Sequence, residues 1–373
     1  MHYDCLVIGL GGIGSSALYH LAKRGVRVCG LEQFGPVHNR GSSHGMHRVF
    51  RKAYFEHPDY VPLLQTAERF WLELESESGA SLYRRTGVVL SGPDDGDTVA
   101  GTLAAAAQHD LPVECMNPDE AHKRWPLLQF PRQDSVVLDP DAGILAVEDC
   151  VTQHLNRACQ LGAETYFGEP VKSCKIKQNS VIITTGKEIR TADSIVFAGG
   201  AWSESLLPSE LPPLQVLHKL QLWHTVEQNY LPQLGRLPAF FFETPQGAFY
   251  GMNSGPGELK LARHSGGSPV IDPSNPGDVA LAEEQGPCVR FASEYLQGIS
   301  SSPVRTSNCL YTVSPDGHFI VDHSTDSDRI VFAAGLSGHG FKFASVLGAV
   351  LADLATCGRT DLPIDFLSAR RFR

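Results

Sequence analysis

Residues 5–14 read Cys5-Leu6-Val7-Ile8-Gly9-Leu10-Gly11-Gly12-Ile13-Gly14, and the fold follows from this stretch. The first four form a short apolar run with a β-branched end, the pattern of a buried strand. Gly9, Gly11 and Gly14 then satisfy G-x-G-x-x-G. The first permits a tight turn, the second lets a pyrophosphate approach the backbone, and the third lets helix and strand pack closely. Ser15 to Arg24 carries Ala17, Leu18, Leu21 and Ala22 at helical spacing and closes at Gly25, a residue suited to ending a helix. Val26 to Leu31 is a second strand, so the segment is a βαβ unit of about 30 residues. The helix N-terminus predicts a phosphate site. Glu32, 18 residues after Gly14, stands where a carboxylate meets an adenosine ribose. Together these features predict a dinucleotide cofactor; the bland alternative is a glycine-rich turn in some other α/β unit.

The fingerprint does not separate FAD from NAD, but the chain after it does. A nicotinamide domain continues into further βαβ units, whereas residues 39–60 read NRGSSHGMHRVFRKAYFEHPDY, a long polar loop carrying Arg40, Arg48, Arg51 and Lys52. The pattern predicts a helix over 67–76 and strands over 87–90, 180–185, 194–197 and 329–333. The last two strands end in Ala198-Gly199-Gly200 and Ala334-Gly335, where backbone can approach a ligand closely. The nucleotide domain is thus assembled from distant pieces of chain, and 212–303 reads as α+β.

The chain has 373 residues, 42% of them hydrophobic and 19% charged, which fits a globular protein and not a disordered one. Acidic residues number 41 and basic ones 31, a net charge of −10, so no basic excess is present to neutralise nucleic acid or an anionic membrane. The nine cysteines are scattered, odd in number and without a CxxC pair, which argues against a disulfide framework or a zinc site and for a reducing compartment. The N-terminus runs straight into a strand, no apolar run reaches the ~18 residues of a membrane span, and Arg371-Phe372-Arg373 is no peroxisomal tripeptide. A cytoplasmic location is expected.

The fingerprint with RGSSHG…R-x-x-R, Asn308-Cys309-Leu310-Tyr311-Thr312, and GLSGHGFKFASVLG over 335–348 together resemble the monomeric sarcosine oxidase and N-methyl-tryptophan oxidase family of covalent-flavin amine oxidases. The likeness spans Tyr3 to Phe372, and the 335–348 motif and C-terminal tail look most like the N-methyl-tryptophan oxidases. It implies an α/β fold: a Rossmann-like, glutathione-reductase-type FAD domain (1–84, 142–214 and 310–373) interleaved with an α+β sheet substrate domain (85–141 and 215–309). It also implies oxidation of a secondary amino acid to an imine, with O₂ reduced to H₂O₂, and a monomeric enzyme that uses no metal. Hydrolysis of the imine then gives an aldehyde and an amine. Fructosyl amino acids and pipecolate-type imino acids are alternative substrates on the same fold, and an FAD-binding redox protein without turnover is the alternative of another class.

The resemblance also assigns residues. Cys309 is the site of an 8α-S-cysteinyl bond to FAD, against the ordinary role of a small buried hydrophobe; a basic neighbour would help its thiol ionise. Arg51 and Lys342 match the pair that holds the substrate carboxylate, a planar fork beside a point charge. Lys260, which shares one face of a strand with Glu258 and Ala262, matches a lysine that assists O₂. Arg48 lies by the flavin ring, where a cation favours the anionic reduced form. Tyr250, His264 and His339 line the substrate pocket, and a neutral imidazole there is a candidate acceptor for the ammonium proton. The cofactor's surroundings are expected to include Gly9, Gly11, Gly12, Ile13, Gly14, Glu32, Gln33, Arg40, Ser42, Ser43, His44, Arg48, Val171, Ala198, Gly199, Trp202, Gly335, Gly338, His339, Gly340 and Lys342. Met46-His47 replaces the family's Asp-Thr, Arg40 to His44 is closer to the pipecolate-oxidising relatives, and Gly251 to Ser254 is more polar than usual. The resemblance therefore points to the chemistry and leaves the substrate open.

Overall fold

A computed structural model describes residues 1–207, 210–276 and 281–373. The quoted stretch forms the centre of an eight-stranded sheet. Its parallel part runs, in spatial order, Glu164–Tyr166, Val28–Leu31, His2–Ile8, Ile189–Phe197 and Ile330–Ala334. Apolar side chains cover both faces, as a parallel sheet requires. The helix Gly12–Lys23 follows the glycine turn, and Gly25, at φ 76°, reverses the chain. It packs on Ala344–Cys357 from the far end of the sequence. A Cβ on Gly348 would stand 2.2 Å from Ser16 Oγ, so only glycine allows that approach.

A second eight-stranded sheet has the order Arg305–Val313, Gln215–Thr225, Glu258–Arg263, Gly247–Gly255, Ala239–Thr244, Val88–Gly92, Ser135–Asp139 and Glu114–Met116. Its strands alternate. Leu220, Leu222, Leu259, Leu261, Phe240 and Phe242 pack with Phe291 and Ala292 of the helix Leu281–Tyr295. The opposite face carries Leu90, Phe241, Tyr250, Met252 and Ala262. The register places Lys219, Lys260 and Cys309 on that second face too.

Three expectations need correction. Residues 39–60 are not simply a polar loop: His47–Phe50 is a strand paired with Gly143–Ala146, which also pairs with Tyr83–Arg84. Phe50, Arg51, Ala53, Tyr54 and Tyr60 are buried. The stretch looked exposed because its polar groups face protein partners instead of water. The helix expected at 67–76 runs Val61–Ser78, opening with Pro62 and closing at Gly79 with φ 71°. The strand Arg305–Val313 crosses the expected boundary at 309/310 and belongs wholly to the second sheet. Among the described residues no helix is long and apolar enough to cross a membrane, and all nine cysteines are free.

Candidate active site

A cavity of about 230 Å³ opens beyond the carboxyl ends of the parallel strands, where ligands of such sheets bind. Its walls include Gly9, Gly11, Gly12, Ile13, Glu32, Gln33, Ser42, Ser43, Arg48, Val171, Ala198, Gly199, Trp202, Gly335, Gly338 and Gly340. The glycine turn is shaped for close packing. Gly9 sits at φ 87°, and a Cβ there would lie 2.5 Å from Ala198 O. A Cβ on Gly14 would lie 1.7 Å from Gly9 O, so this glycine joins helix to strand behind the wall. Glu32 is buried and accepts from the backbone of Leu10 at 2.8 Å and Phe34 at 3.0 Å. Burial opposes its charge, but His38 and these two N–H groups outweigh it and hold its carboxyl below the usual range. The structure therefore offers a bare backbone turn for phosphates with an ionised carboxylate beyond it, which fits a dinucleotide.

The loop over 41–48 closes the other end. Gly45 N and Met46 N donate to Glu148, at 2.7 Å and 3.0 Å, and this grip holds Met46 at φ 70°. Arg48 Nη2 donates to Ser42 O at 3.0 Å and to Cys309 Sγ at 3.4 Å, which sets a guanidinium beside the thiol. Cys309 itself is buried, next in sequence to the wall residues Leu310 and Tyr311. Lys260 is fully buried, and its ammonium donates to Gly45 O at 2.5 Å and His47 O at 3.0 Å. Burial, then the Arg48 charge, pull its pKa well below the ordinary lysine value.

A smaller pocket of about 50 Å³ adjoins the cavity and shares Arg48, Tyr311, Gly338 and Phe341 with it. Phe241, Tyr250 and Tyr311 make its aromatic wall, and Arg51, Glu56, Lys342, His264 and His339 bring its charge and polarity. Arg51 donates to Glu56 at 2.5 Å and to Ala53 O at 3.2 Å, stacked 3.8 Å from the Phe55 ring centroid. Burial alone would raise the Glu56 carboxyl; Arg51, with His339 and Lys342 behind it, overrides burial and holds it at about 2. Burial and Arg51 pull Lys342 down to about 7.

His339 is fixed from both sides. Its Nε2 lies 3.0 Å from Gly317 O, and a carbonyl only accepts, so Nε2 carries the proton. Nδ1 then accepts from Tyr54 Oη at 2.6 Å, and Tyr54 Oη accepts from Lys342 Nζ at 3.4 Å. Burial lowers His339 to about 4 and His264 to about 3. Both imidazoles are neutral and weakly basic, which argues against the expected role in taking the ammonium proton.

Most of the expected residues converge on these two cavities. Lys342 and His339 border the smaller one, while Gly14 and His44 stand behind the larger; His44 is buried and bonds Gly41 O at 3.2 Å, bracing the loop. Arg40 does not reach the cavity. It is exposed, stacked on Phe34, and donates to Ser274 O at 3.1 Å. Sequence reasoning missed Glu56, Tyr54, Phe241, Tyr311, Phe341 and Glu148. The one signal on offer was weak: Glu56 is an acid four residues beyond the basic stretch at 48–52.

Comparison with known proteins agrees with this geometry. The FAD dependent oxidoreductase family matches residues 4–354. The chain is 37% identical to a monomeric sarcosine oxidase of Streptomyces avermitilis, covering 99% of this chain and 97% of that protein. It is 33% identical to an N-methyl-L-tryptophan oxidase of Yersinia pestis over the full length of both. Among solved structures, the open form of a Tyr258Phe mutant of NikD, an unusual amino acid oxidase essential for nikkomycin biosynthesis, superimposes with a TM-score of 0.87. It is 25% identical and covers 98% of this chain and 97% of its own. A nucleotide turn at one end of a cavity, a cationic pocket at the other and similarity along the whole chain lead to one conclusion: this protein belongs to the FAD dependent oxidoreductase family, in the group of the monomeric sarcosine oxidases and N-methyl-L-tryptophan oxidases.

Proposed function

We propose that this protein is an FAD-dependent oxidase of a small secondary amino acid, of which sarcosine is the type. The observation that carries the reading is the pocket that holds Arg51 and Lys342 against the cofactor cavity, walled by aromatic rings. A buried carboxylate needs such partners. The closely set aromatic wall suits a small substituent on the amine. Cyclic secondary amino acids are the second reading, favoured by the same compact aromatic wall. The products are an imine, hydrolysed to aldehyde and amine, and H₂O₂ from O₂.

FAD, when bound, supplies the electron acceptor for the amine and the means of passing electrons to O₂. Gly9 to Ile13, Glu32, Ser43 and the 41–48 loop would hold it, and Cys309 would offer the thiol for a covalent link. Arg51 and Lys342 anchor the substrate carboxylate. Lys342, at about 7, is only partly charged before that anion arrives and becomes fully so beside it. Arg48, Arg51 and Lys342 face one carboxylate, Glu56, so the pocket's positive excess selects the neutral amine over the ammonium ion. Tyr250, Tyr311 and Phe241 exclude water from the reacting carbon. Lys260, whose Nζ donates to Gly45 O and His47 O, would stand beside the bound cofactor as the group that assists oxygen reduction. Nine free cysteines fit a reducing compartment, the cytoplasm, and likeness to the monomeric sarcosine oxidases supports a single subunit. The test is a screen of N-methyl, cyclic and glycated amino acids for peroxide release. Peroxide from sarcosine or a small cyclic amine supports the reading; peroxide only from bulky substrates, or none, refutes it.

A further inference from the structure

Lys219 lies on the strand Gln215–Thr225, between the strand Arg305–Val313, which carries Cys309, and the strand Glu258–Arg263, which His264 directly follows. It pairs directly with Cys309 on one side. On the other, the pairing with Glu258–Arg263 ends at Gln221 and Ala262 and resumes at Leu217 and Pro269, so the intervening turn loops out beside Lys219. Lys219 and Cys309 share the face that looks onto the site, and the turn brings His264 O within reach of the ammonium. Lys219 is 4% exposed, yet no carboxylate bonds its ammonium. Its Nζ donates instead to His264 O at 2.7 Å, to Ser265 O at 3.0 Å and to Gly266 O, and lies 4.9 Å from the Tyr311 ring centroid. All three of its donors are spent on three consecutive carbonyls.

We infer that Lys219 is the positioning residue of the substrate pocket, a buried ammonium that ties the turn at 264–266 to the sheet and thereby sets the His264 ring against Tyr311. The turn is shaped around it. Gly266 and Gly267 take φ values of 65° and 119°, and a Cβ on Gly267 would stand 2.6 Å from His218 O and 3.3 Å from Lys219 Cε. The His264 ring, whose backbone the ammonium holds, lies 5.8 Å from Tyr311 and 5.7 Å from Phe241, both pocket walls. Apolar side chains fill most of this face. A buried cation is costly there unless its hydrogen bonds are complete, and the carbonyl cage completes them. Burial pulls Lys219 down to about 8; Glu284 and Cys288 of the helix and Cys309 support its charge, and Arg263 opposes it.

This role rests on His264 forming part of the substrate pocket, so the test separates the two. Flavin-loaded wild type, Lys219→Met, His264→Ala and the double variant are compared by hydrogen exchange at residues 264–268, by half-saturation in anaerobic reduction with sarcosine, and by reoxidation rate in air. Lys219→Met should speed exchange at the turn and raise half-saturation about ten- to a hundredfold, the upper end being the scale of an ångström's misplacement, while reoxidation holds. In the His264→Ala background it should add almost nothing to half-saturation. Unchanged exchange in Lys219→Met, or full additivity in the double variant, overturns the inference. A His264→Ala enzyme indistinguishable from wild type overturns the pocket reading instead. If Lys219→Met does not fold, Lys219→Arg, which keeps the donors, must retain wild-type exchange and half-saturation, and its failure to do so counts against the cage.

Discussion

Removing Arg51 tests the anchor and its internal partner together. In Arg51→Ala the Glu56 carboxylate keeps its burial and loses its 2.5 Å partner. A carboxyl held at about 2 instead of the ordinary 4.5 contributes roughly 3 kcal/mol of folding stability above pH 4.5, and that contribution fades as pH falls toward 2. Breaking a buried pair from one side costs about 3–5 kcal/mol, in the same range. Loss of the fork facing the substrate carboxylate should cost a further 2–5 kcal/mol or so in kcat/KM. Urea unfolding at pH 7 and steady-state peroxide assays read the two quantities separately. Adding Glu56→Gln to Arg51→Ala removes the orphaned charge, so the double variant should regain about half or more of the lost stability and none of the lost kcat/KM. A double variant as unstable as Arg51→Ala, or an Arg51→Ala enzyme with wild-type kcat/KM, refutes the reasoning.

Three further outcomes are expected. Acid-precipitated wild type should keep its yellow colour in the pellet and Cys309→Ser should lose it; a colourless wild-type pellet rules out the thioether. Lys260→Met should slow reoxidation by O₂ far more than reduction by substrate, and equal effects on the two half-reactions argue against its assigned role. His154, buried between the Tyr19 and Trp71 rings with its Nδ1 unbonded, is pushed by burial to about 3. The unfolded chain takes up that proton first, so stability falls as pH drops below 6.5. At pH 5 the loss is about 2 kcal/mol, and His154→Leu should abolish that part of the acid sensitivity in urea titrations at pH 7 and pH 5.

The nucleotide half of the fold was legible because its signals are local. Gly9, Gly11 and Gly14 each occupy a position that backbone geometry reserves for glycine, and Glu32 follows at a fixed distance. The second half was less legible. Lys219 looks like an ordinary strand lysine until the fold sets it opposite Cys309 and under the carbonyls of 264–266, contacts between segments far apart in sequence. Arg40 shows the opposite failure, a cation in a promising motif that turns outward onto Phe34. Glu56 was hidden because its charge is answered five residues away by Arg51, a pairing that no periodicity announces. Residues 39–60 misled for a related reason: polarity marks a surface loop only when water, and not protein, satisfies the polar groups.

The central claim is that one site joins a carboxylate anchor to a flavin that reacts with oxygen. An anaerobic titration of the purified yellow protein with sarcosine, followed by admission of air, tests it most directly. The account predicts stoichiometric bleaching, full recovery of colour in air, and formaldehyde and H₂O₂ in equal amounts. Bleaching by no secondary amino acid, or a bleached protein that air does not restore, would contradict it.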